Sequence, residues 1–271
     1  GLFLFFPALN GLWISLTKWD GVNPQVFVGV KNYVTLFGDK SFWNSFVRTL
    51  IFTLVSVPSV YVAALGLAVL LTGGIRGSNF FRAVFYWPTM ISTIIVGLTW
   101  RFLLGEDFGL VNYLLTAMDR SPVKWLTDPN NAMGVVIFVT VWSMAGYYMV
   151  MFVSGIKAIS ETYYEAARID GLSHAGVFAR IVCPISKPLF ASIAILNFTG
   201  TWNSYMVPAT FINKVDKYTL VVGLQTVNMT YFQKTNLTLA GVVLLSFPVI
   251  LFFICTQKEF VKGAMSSGIK A

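Results

Sequence analysis

Residues 163–185 read YYEAARIDGLSHAGVFARIVCPI and form the most hydrophilic run of a strongly apolar chain. Just before this run, Thr162 can cap a helix, and Glu165 follows three residues later, which is the spacing of a capping box. Gly171 can end that helix, because glycine readily adopts the left-handed backbone conformation. The pattern therefore predicts a short polar helix that is closed by a glycine turn.

A second short helix is predicted to follow, from Ser173 to Val182, with Pro184 stopping it. Two interpretations fit this compact helix–glycine–helix segment. Ala166 and Ala167, flanked by charged residues, suit docking into the groove of another protein. An amphipathic helix that lies on the lipid surface fits the pattern equally well. The pattern alone leaves both interpretations open.

Composition places the chain among membrane proteins. Of its 271 residues, 56% are hydrophobic and 11% are charged, and the mean hydropathy is +0.72; soluble domains carry about a quarter charged residues. The net charge of +8 comes from Lys and Arg scattered between apolar runs, so nucleic-acid binding is not supported. Cys183 and Cys255 have no neighbouring cysteine and are predicted to be apolar fillers, not a disulfide or metal site.

Six apolar segments are predicted to span a membrane, which takes about 20 residues per helix. They indicate an all-α polytopic membrane protein whose first helix lacks its beginning. Lys and Arg are divided evenly between alternate connections, so the positive-inside rule leaves the orientation undecided. Small residues in the second segment, Ala64, Gly66 and Ala68, predict close helix contact. The six segments are roughly 1–17, 46–71, 80–104, 132–156, 188–211 and 239–257.

The predicted spans are nearly free of ionisable side chains, and no Asp or Glu lies in the middle of any of them. Proton- and ion-coupled carriers usually need carboxylates or histidines inside the membrane, so such a carrier is the weaker alternative. No G-x-x-x-x-G-K-[ST] motif occurs, which excludes ATP binding by a P-loop. His174 is the only histidine, and no nucleophile elbow is present, which argues against a membrane-embedded enzyme.

The polar run carries the spacing EAA-x3-G-x9-I-x-C-P. It resembles the EAA loop of binding-protein-dependent ABC importer permeases, whose pattern has leucine where Cys183 stands, and EAARIDG is similar to the maltose-type carbohydrate branch. The resemblance covers most of the chain. The part before about residue 160 looks more like the first permease subunit of such systems, and the part from the fifth span onward looks more like the second.

The resemblance implies the ABC type I importer fold: one permease domain, 1–271, with about six spans and a cytoplasmic coupling helix between the fourth and the fifth. The loop 157–187 would dock in a cleft of an ATPase subunit, and the tail 257–271 would reach toward the same interface. Two partner ATPase subunits would bind ATP and Mg, so this chain would hold no cofactor, metal or catalytic residue. The implied coupling residues are Glu165, Ala166, Ala167, Arg168, Asp170, Gly171, Ile181 and Pro184.

The implied function is transport of a carbohydrate, such as a sugar, an oligosaccharide or a polyol derivative, across the cytoplasmic (inner) membrane of a bacterium or archaeon. An extracytoplasmic solute-binding protein would deliver the solute. A second permease subunit would complete the pathway, and a heterodimer is more usual than a homodimer in carbohydrate systems. The alternative within the same family is a permease for a non-sugar solute.

The fourth and fifth spans hold the residues that match the sugar-contacting part of the family. A sugar needs hydroxyl and amide partners together with aromatic faces. The competing interpretation is that these polar side chains hold helices together and that the aromatic ones simply pack. The predicted solute-pathway residues are Ser143, Met144, Tyr147, Asn197, Gly200, Thr201, Trp202, Asn203 and Ser204.

Overall fold

The computed structural model describes residues 2–19, 23–230 and 235–268, and most of them are helical. One short antiparallel hairpin pairs Thr17 with Phe27 and Lys18 with Val26. The elements in chain order are α1 (Leu2–Ser15), β1 (Thr17–Lys18), β2 (Val26–Phe27), α2 (Lys31–Phe37), α3 (Lys40–Thr72), α4 (Ser78–Met90), α5 (Thr93–Leu103), α6 (Leu110–Ala117), α7 (Pro129–Lys157), α8 (Glu161–Ile169), α9 (His174–Val177), a π-helical turn (Phe178–Val182), α10 (Cys183–Ile185), α11 (Lys187–Trp202), α12 (Met206–Phe211), a 3-10 turn (Val215–Lys217), α13 (Leu220–Thr230) and α14 (Thr235–Gly268).

Three of the described helices are long and apolar enough to cross a membrane alone: α3, α7 from Asn131 onward, and α14 as far as Lys258. They contain the second, fourth and sixth predicted segments. The number rises to five if two sharply bent helix pairs each count as one span. The chain is therefore mostly helical with several candidate spans, as the sequence predicts.

The third and fifth predicted segments are each divided between two helices. Pro88 lies in the last turn of α4, and the extended backbone of Ile91 ends that helix before α5 begins. The fifth segment is divided between α11 and α12, and Tyr205 precedes the second helix. The first segment forms α1, whose 14 residues are fewer than the roughly 20 that a straight span requires.

The chain divides into two compact units, and five of the described helices contribute residues to both. The first unit comprises Gly1–Thr53, Gly97–Val136 and Trp202–Leu251. Buried Asn32 organises it by donating to the backbone oxygens of Ser15 and Thr17, each at 2.8 Å, and by accepting from the Asn236 side chain, also at 2.8 Å. One amide side chain thus joins the end of α1, the hairpin and the start of α14.

The second unit comprises Leu54–Val96, Ile137–Thr201 and Phe252–Ala271. Its core forms where one stripe of α3 meets one stripe of α7. Both stripes follow the three- and four-residue spacing of a helix face, and the smallness of the two alanines on α3 allows close approach. The buried residues are Val60, Ala64, Ala68 and Leu71 on α3, and Met149, Phe152, Val153 and Ile156 on α7.

Glycine has two different roles in this unit. Gly146 of α7 packs directly on the backbone of α4, and a Cβ added there would overlap the carbonyl oxygen of Phe85. Gly66, predicted to pack with Ala64 and Ala68, is exposed and has open space around it. It lies two residues from each alanine, which places it on the far side of the helix. The prediction of close contact is confirmed for the alanines and wrong for Gly66.

Candidate functional site

The polar run folds as α8, which begins two residues earlier than its sequence suggests. Ser160 is the residue that precedes the helix, with an extended backbone, and Thr162 lies inside the first turn. The hydroxyls of Ser160 and Thr162 bond to each other at 2.8 Å. The prediction that Thr162 caps the helix in a capping box with Glu165 is therefore wrong, because these two hydroxyls pair with each other and no side chain caps the helix.

The end of α8 follows the prediction. Gly171 has a positive φ of 69°, and its N–H donates to the carbonyl oxygen of Arg168 at 3.1 Å. The Leu172 N–H donates to the carbonyl oxygen of Ala167 at 3.0 Å. These two bonds form a Schellman motif, which satisfies carbonyls that a helix end otherwise leaves free. Exposed Asp170 is the last residue before this turn.

The second helix is longer than predicted. It begins after Ser173, whose hydroxyl accepts from the Gly176 N–H at 3.2 Å, and continues through the π-helical turn into α10. The prediction that Pro184 stops the helix is wrong. In the wide turn the Cys183 N–H reaches back to the Phe178 carbonyl, and Pro184 then lies in the first turn of α10, where proline is tolerated.

The coupling residues predicted from the sequence differ in exposure. Glu165, Ala166 and Arg168 are exposed, whereas Ala167 is only 2% exposed and packs inward. The outer face of α8 ends in Ile169, which is 87% exposed. Further along, Ile181 packs partly against the core of the second unit and Pro184 is exposed. Of the two alanines, only Ala166 therefore offers the small outward surface that the sequence predicted for both.

A tyrosine that the sequence analysis did not single out fastens α8 to α7. The Tyr164 hydroxyl donates to the carbonyl oxygen of Ile156 at 3.1 Å, and its ring packs on the core of the second unit. Burial, and secondarily the nearby Glu161 carboxylate, raise the pKa of this hydroxyl. The hydroxyl is thus a neutral donor at physiological pH. No signal in the sequence marks Tyr164, because the burial of Ala167, three residues later on the same helix face, is known only from the structure.

On α7, the predicted solute-pathway residues face different environments. Ser143 is buried and donates to the Thr140 carbonyl oxygen at 3.2 Å. Met144 is half-buried against the core of the second unit. Tyr147 is 43% exposed, and its ring meets Tyr148 edge-on with 5.1 Å between centroids. Tyr147 is thus the one of these three predicted residues whose side chain is substantially exposed.

On α11, the predicted polar residues are mostly occupied by contacts within the chain. Asn197 is 1% exposed, and its amide donates to the Val57 carbonyl oxygen at 3.0 Å. Thr201 is buried and donates to Asn197 at 3.3 Å. In the first unit, buried Trp202 donates to the Leu245 carbonyl oxygen at 2.8 Å. These contacts favour helix packing as the role of all three.

The remaining predicted pathway residues are more accessible. Gly200 and Asn203 are exposed, and Ser204 is half-buried. A Cβ added at Gly200 would lie 4.0 Å from the Tyr148 hydroxyl, so this part of α11 approaches α7 near Tyr147. Among the described residues no group of His, Cys, Asp and Glu could hold a metal ion.

Residues 33–257 match the family model described as "Binding-protein-dependent transport system inner membrane component". The match covers most of the chain and includes α8 together with both predicted solute-pathway segments.

Named relatives are similar over most of their own length. A probable starch degradation products transport system permease protein from Thermoanaerobacterium thermosulfurigenes is 31% identical over 206 residues, which cover 74% of this chain and 68% of the relative. A lactose transport system permease protein from Rhizobium radiobacter is 33% identical over 203 residues, covering 74% of this chain and 67% of that protein.

The fold is also similar to a solved structure. A chain in the crystal structure of a bacterial alginate ABC transporter, in complex with alginate pentasaccharide-bound periplasmic protein, superposes with a TM-score of 0.83 at 18% identity. The alignment covers 94% of this chain and 87% of that chain.

Proposed function

The chain belongs to the family of binding-protein-dependent transport system inner membrane components, and from that premise we propose that it is a permease subunit of an ABC importer for carbohydrates. The named relatives support the solute class, since their names give starch degradation products and lactose. The likeness to a chain of the alginate transporter supports the importer fold. The solute proposed here is a sugar, an oligosaccharide or a polyol derivative.

The observation that carries this proposal is the geometry of α8. A short helix between apolar segments exposes Glu165 and Ala166 on its outer surface, while Tyr164 and Ala167 fix its inner surface. An exposed carboxylate beside a small residue suits a cleft that contains a basic side chain. We infer that α8 is the coupling helix and that it docks on an ATPase subunit.

The rest of the machinery lies outside this chain in the proposal. Two ATPase subunits bind ATP and Mg, a second permease subunit lines the other half of the pathway, and an extracytoplasmic solute-binding protein delivers the solute. The chain itself acts as one permease domain with about six spans in the cytoplasmic membrane of a bacterium or archaeon. It has no ATPase site, and conformational coupling through α8 drives transport.

For the solute pathway, the proposal divides the predicted residues by exposure. Tyr147, Gly200 and Asn203 are the best candidates for solute contact, because they are exposed. Tyr147 offers an aromatic face and Asn203 an amide, which are the groups that a sugar needs. Asn197 and Thr201 support the pathway indirectly by holding α11 in place.

The tail provides a further contact in the proposal. Its backbone continues α14 to Gly268, so residues 257–268 are helical, and residues 269–271 lie outside the described residues. A helical extension of the last span can reach an ATPase interface at about 1.5 Å per residue.

The experiment is purification of the tagged full chain from its native membranes, as wild type and as Glu165→Lys. An ATPase subunit and a permease partner should co-purify with the wild type. Glu165→Lys should release the ATPase, because it places a positive charge against the basic cleft. Asp107→Lys makes the same charge change at an exposed position in the first unit and should leave the complex intact.

Identification of the partners also decides the pairing, since a heterodimer yields a second permease sequence. If no ATPase co-purifies with the wild type and Glu165→Lys changes nothing, α8 is not a coupling helix. If the ATPase co-purifies but is stimulated only by a binding protein loaded with a non-sugar solute, the carbohydrate assignment is wrong and the importer assignment stands.

A further inference from the structure

A cavity of about 560 Å³ lies in the second unit beside α8. Its walls come from the last turn of α3, the last turn of α7, the inner side of α8, and α9 with the π-helical turn. Thr72 and Lys157, the final residues of α3 and α7, both line it. Since α3 and α7 are candidate membrane spans, the cavity lies at the level where two spans end.

The charges around this cavity are mostly positive. Lys157 and Arg168 reach it from two different helices, and Glu161 is the one carboxylate in its lining. Glu161 lies 4.0 Å from Arg168, but both side chains are largely exposed and such a pair contributes little. Within the described residues, Lys157 has no ion pair. The cavity therefore has positive charge available for a ligand.

The other surfaces of the cavity are apolar. Val69 of α3 and Ile156 of α7 line it beside the charged residues, and Phe178 lines it from the π-helical turn. A free inorganic anion contacts none of this apolar surface. An amphiphile with an anionic head contacts both the charged and the apolar residues of the cavity. Basic pockets at the cytoplasmic ends of spans are suited to lipid phosphate groups.

We propose that this cavity binds the phosphate headgroup of an anionic phospholipid. Lys157 and Arg168 contact the phosphate, and an acyl chain lies along Val69 and Ile156. A lipid bound in this way touches both α8 and the ends of two spans, so it stabilises the position of α8. The proposal depends on the chain being a membrane component, which the family match gives, and not on the solute or on ATP-driven transport.

The test uses the full chain in nanodiscs made from equal amounts of phosphatidylglycerol and phosphatidylcholine. After release into mild detergent, native mass spectrometry counts the lipids that stay bound. Wild type should retain phosphatidylglycerol in preference to phosphatidylcholine. Lys157→Gln should weaken that retention by about fivefold, which corresponds to the loss of one cation near a lipid surface.

Lys187→Gln is the matched control, because Lys187 is exposed in the same unit and does not line the cavity. Its phosphatidylglycerol retention should equal that of wild type. Lys157→Arg keeps the charge and should restore retention, which separates a charge effect from a folding defect. Competition with millimolar inorganic phosphate separates the lipid from a free anion.

Three results overturn the proposal. Equal retention of the two lipids by wild type excludes selection of an anionic headgroup. An equal loss in Lys157→Gln and Lys187→Gln shows general surface attraction. Displacement of the lipid by millimolar inorganic phosphate shows that the cavity takes a free anion. Because no transport is measured, these results stand apart from success or failure of the importer assignment.

Discussion

Polar residues occur in the predicted coupling segment, residues 157–187, and in the predicted solute pathway on α7 and α11. The structure places the two sets in different environments. In the predicted coupling segment, Glu165 is exposed on a helix that Tyr164 fastens to α7. On α11, Asn197 and Thr201 are buried and bonded to groups of the same chain. The contrast separates polar side chains that are exposed to a partner from polar side chains that hold helices together.

The largest expected effect concerns the packing that holds α7. Gly146→Leu should cost about 3 kcal/mol or more, because the new side chain would overlap the backbone of Phe85. Thermal unfolding in detergent should show loss of the folded protein. Gly66→Leu is the control, since Gly66 faces open space. Equal unfolding temperatures for the two variants would contradict the close contact between α4 and α7.

Asn197→Ala tests the buried side of the comparison. It should lower the free energy of unfolding by about 2 kcal/mol, because the Val57 carbonyl loses its amide partner and Thr201 loses its acceptor. Asn203→Ala should lower the unfolding temperature less than Asn197→Ala, because Asn203 is exposed, and should reduce solute-stimulated ATPase activity of the assembled complex. The distinction by exposure fails if Asn197→Ala impairs transport with no loss of stability.

Gly171→Ala tests how much the left-handed turn at Gly171 stabilises the end of α8. A residue with a Cβ is strained at a φ of 69°, so this change should destabilise the turn by about 1 kcal/mol. The amount of ATPase that co-purifies should fall by the factor that this free energy corresponds to, about fivefold. Gly176 lies within α9 and has no positive φ, so Gly176→Ala should not destabilise the segment. Hydrogen exchange at the Leu172 amide reports the local opening.

The smallest expected effect is that of Tyr164→Phe, which removes one hydroxyl and keeps the ring. It should cost about 0.5–1 kcal/mol, and Tyr163→Phe should cost nothing measurable, since Tyr163 is exposed. The pKa of Tyr164 is raised in the folded state above its usual 10.0. Its contribution to stability is therefore complete below pH 10 and is lost as the pH rises through the raised folded-state value.

Unfolding temperatures of wild type and Tyr164→Phe, measured from pH 8 upward, test this dependence. The difference between them should shrink above pH 10. A difference that stays constant through this range would show that the Tyr164 hydroxyl is not the titrating donor to Ile156.

Local signals in the sequence predicted much of the fold. Apolar length identified α3, α7 and α14, and one glycine identified the left-handed turn at Gly171. The breaks in the third and fifth segments were not predicted, since a proline near a helix end is compatible with either a kink or a stop. The C-terminal end of the second short helix was missed because a π-helical turn leaves no distinct pattern of residues.

The candidate site, like the fold, was predicted only where the signal in the sequence is local. The exposure of Glu165 follows from its place in a polar run, which the sequence shows directly. The burial of Asn197 depends on the Val57 carbonyl, 140 positions away in the chain, and no local pattern encodes such a partner. The inward direction of Ala167 was missed likewise, because two adjacent alanines look identical until the helix face that packs on α7 is known.

The exposure of Ile169 on the outer surface of α8 bears on how the cell keeps its subunits in proportion. A large apolar side chain that is 87% exposed is a recognition feature for chaperones and proteases as long as no partner covers it. In the proposed assembly, a copy synthesised in excess of its ATPase subunit would display Ile169 continuously. Degradation of such unassembled copies would then match the amount of this chain to the amount of that subunit, without any regulation of the gene.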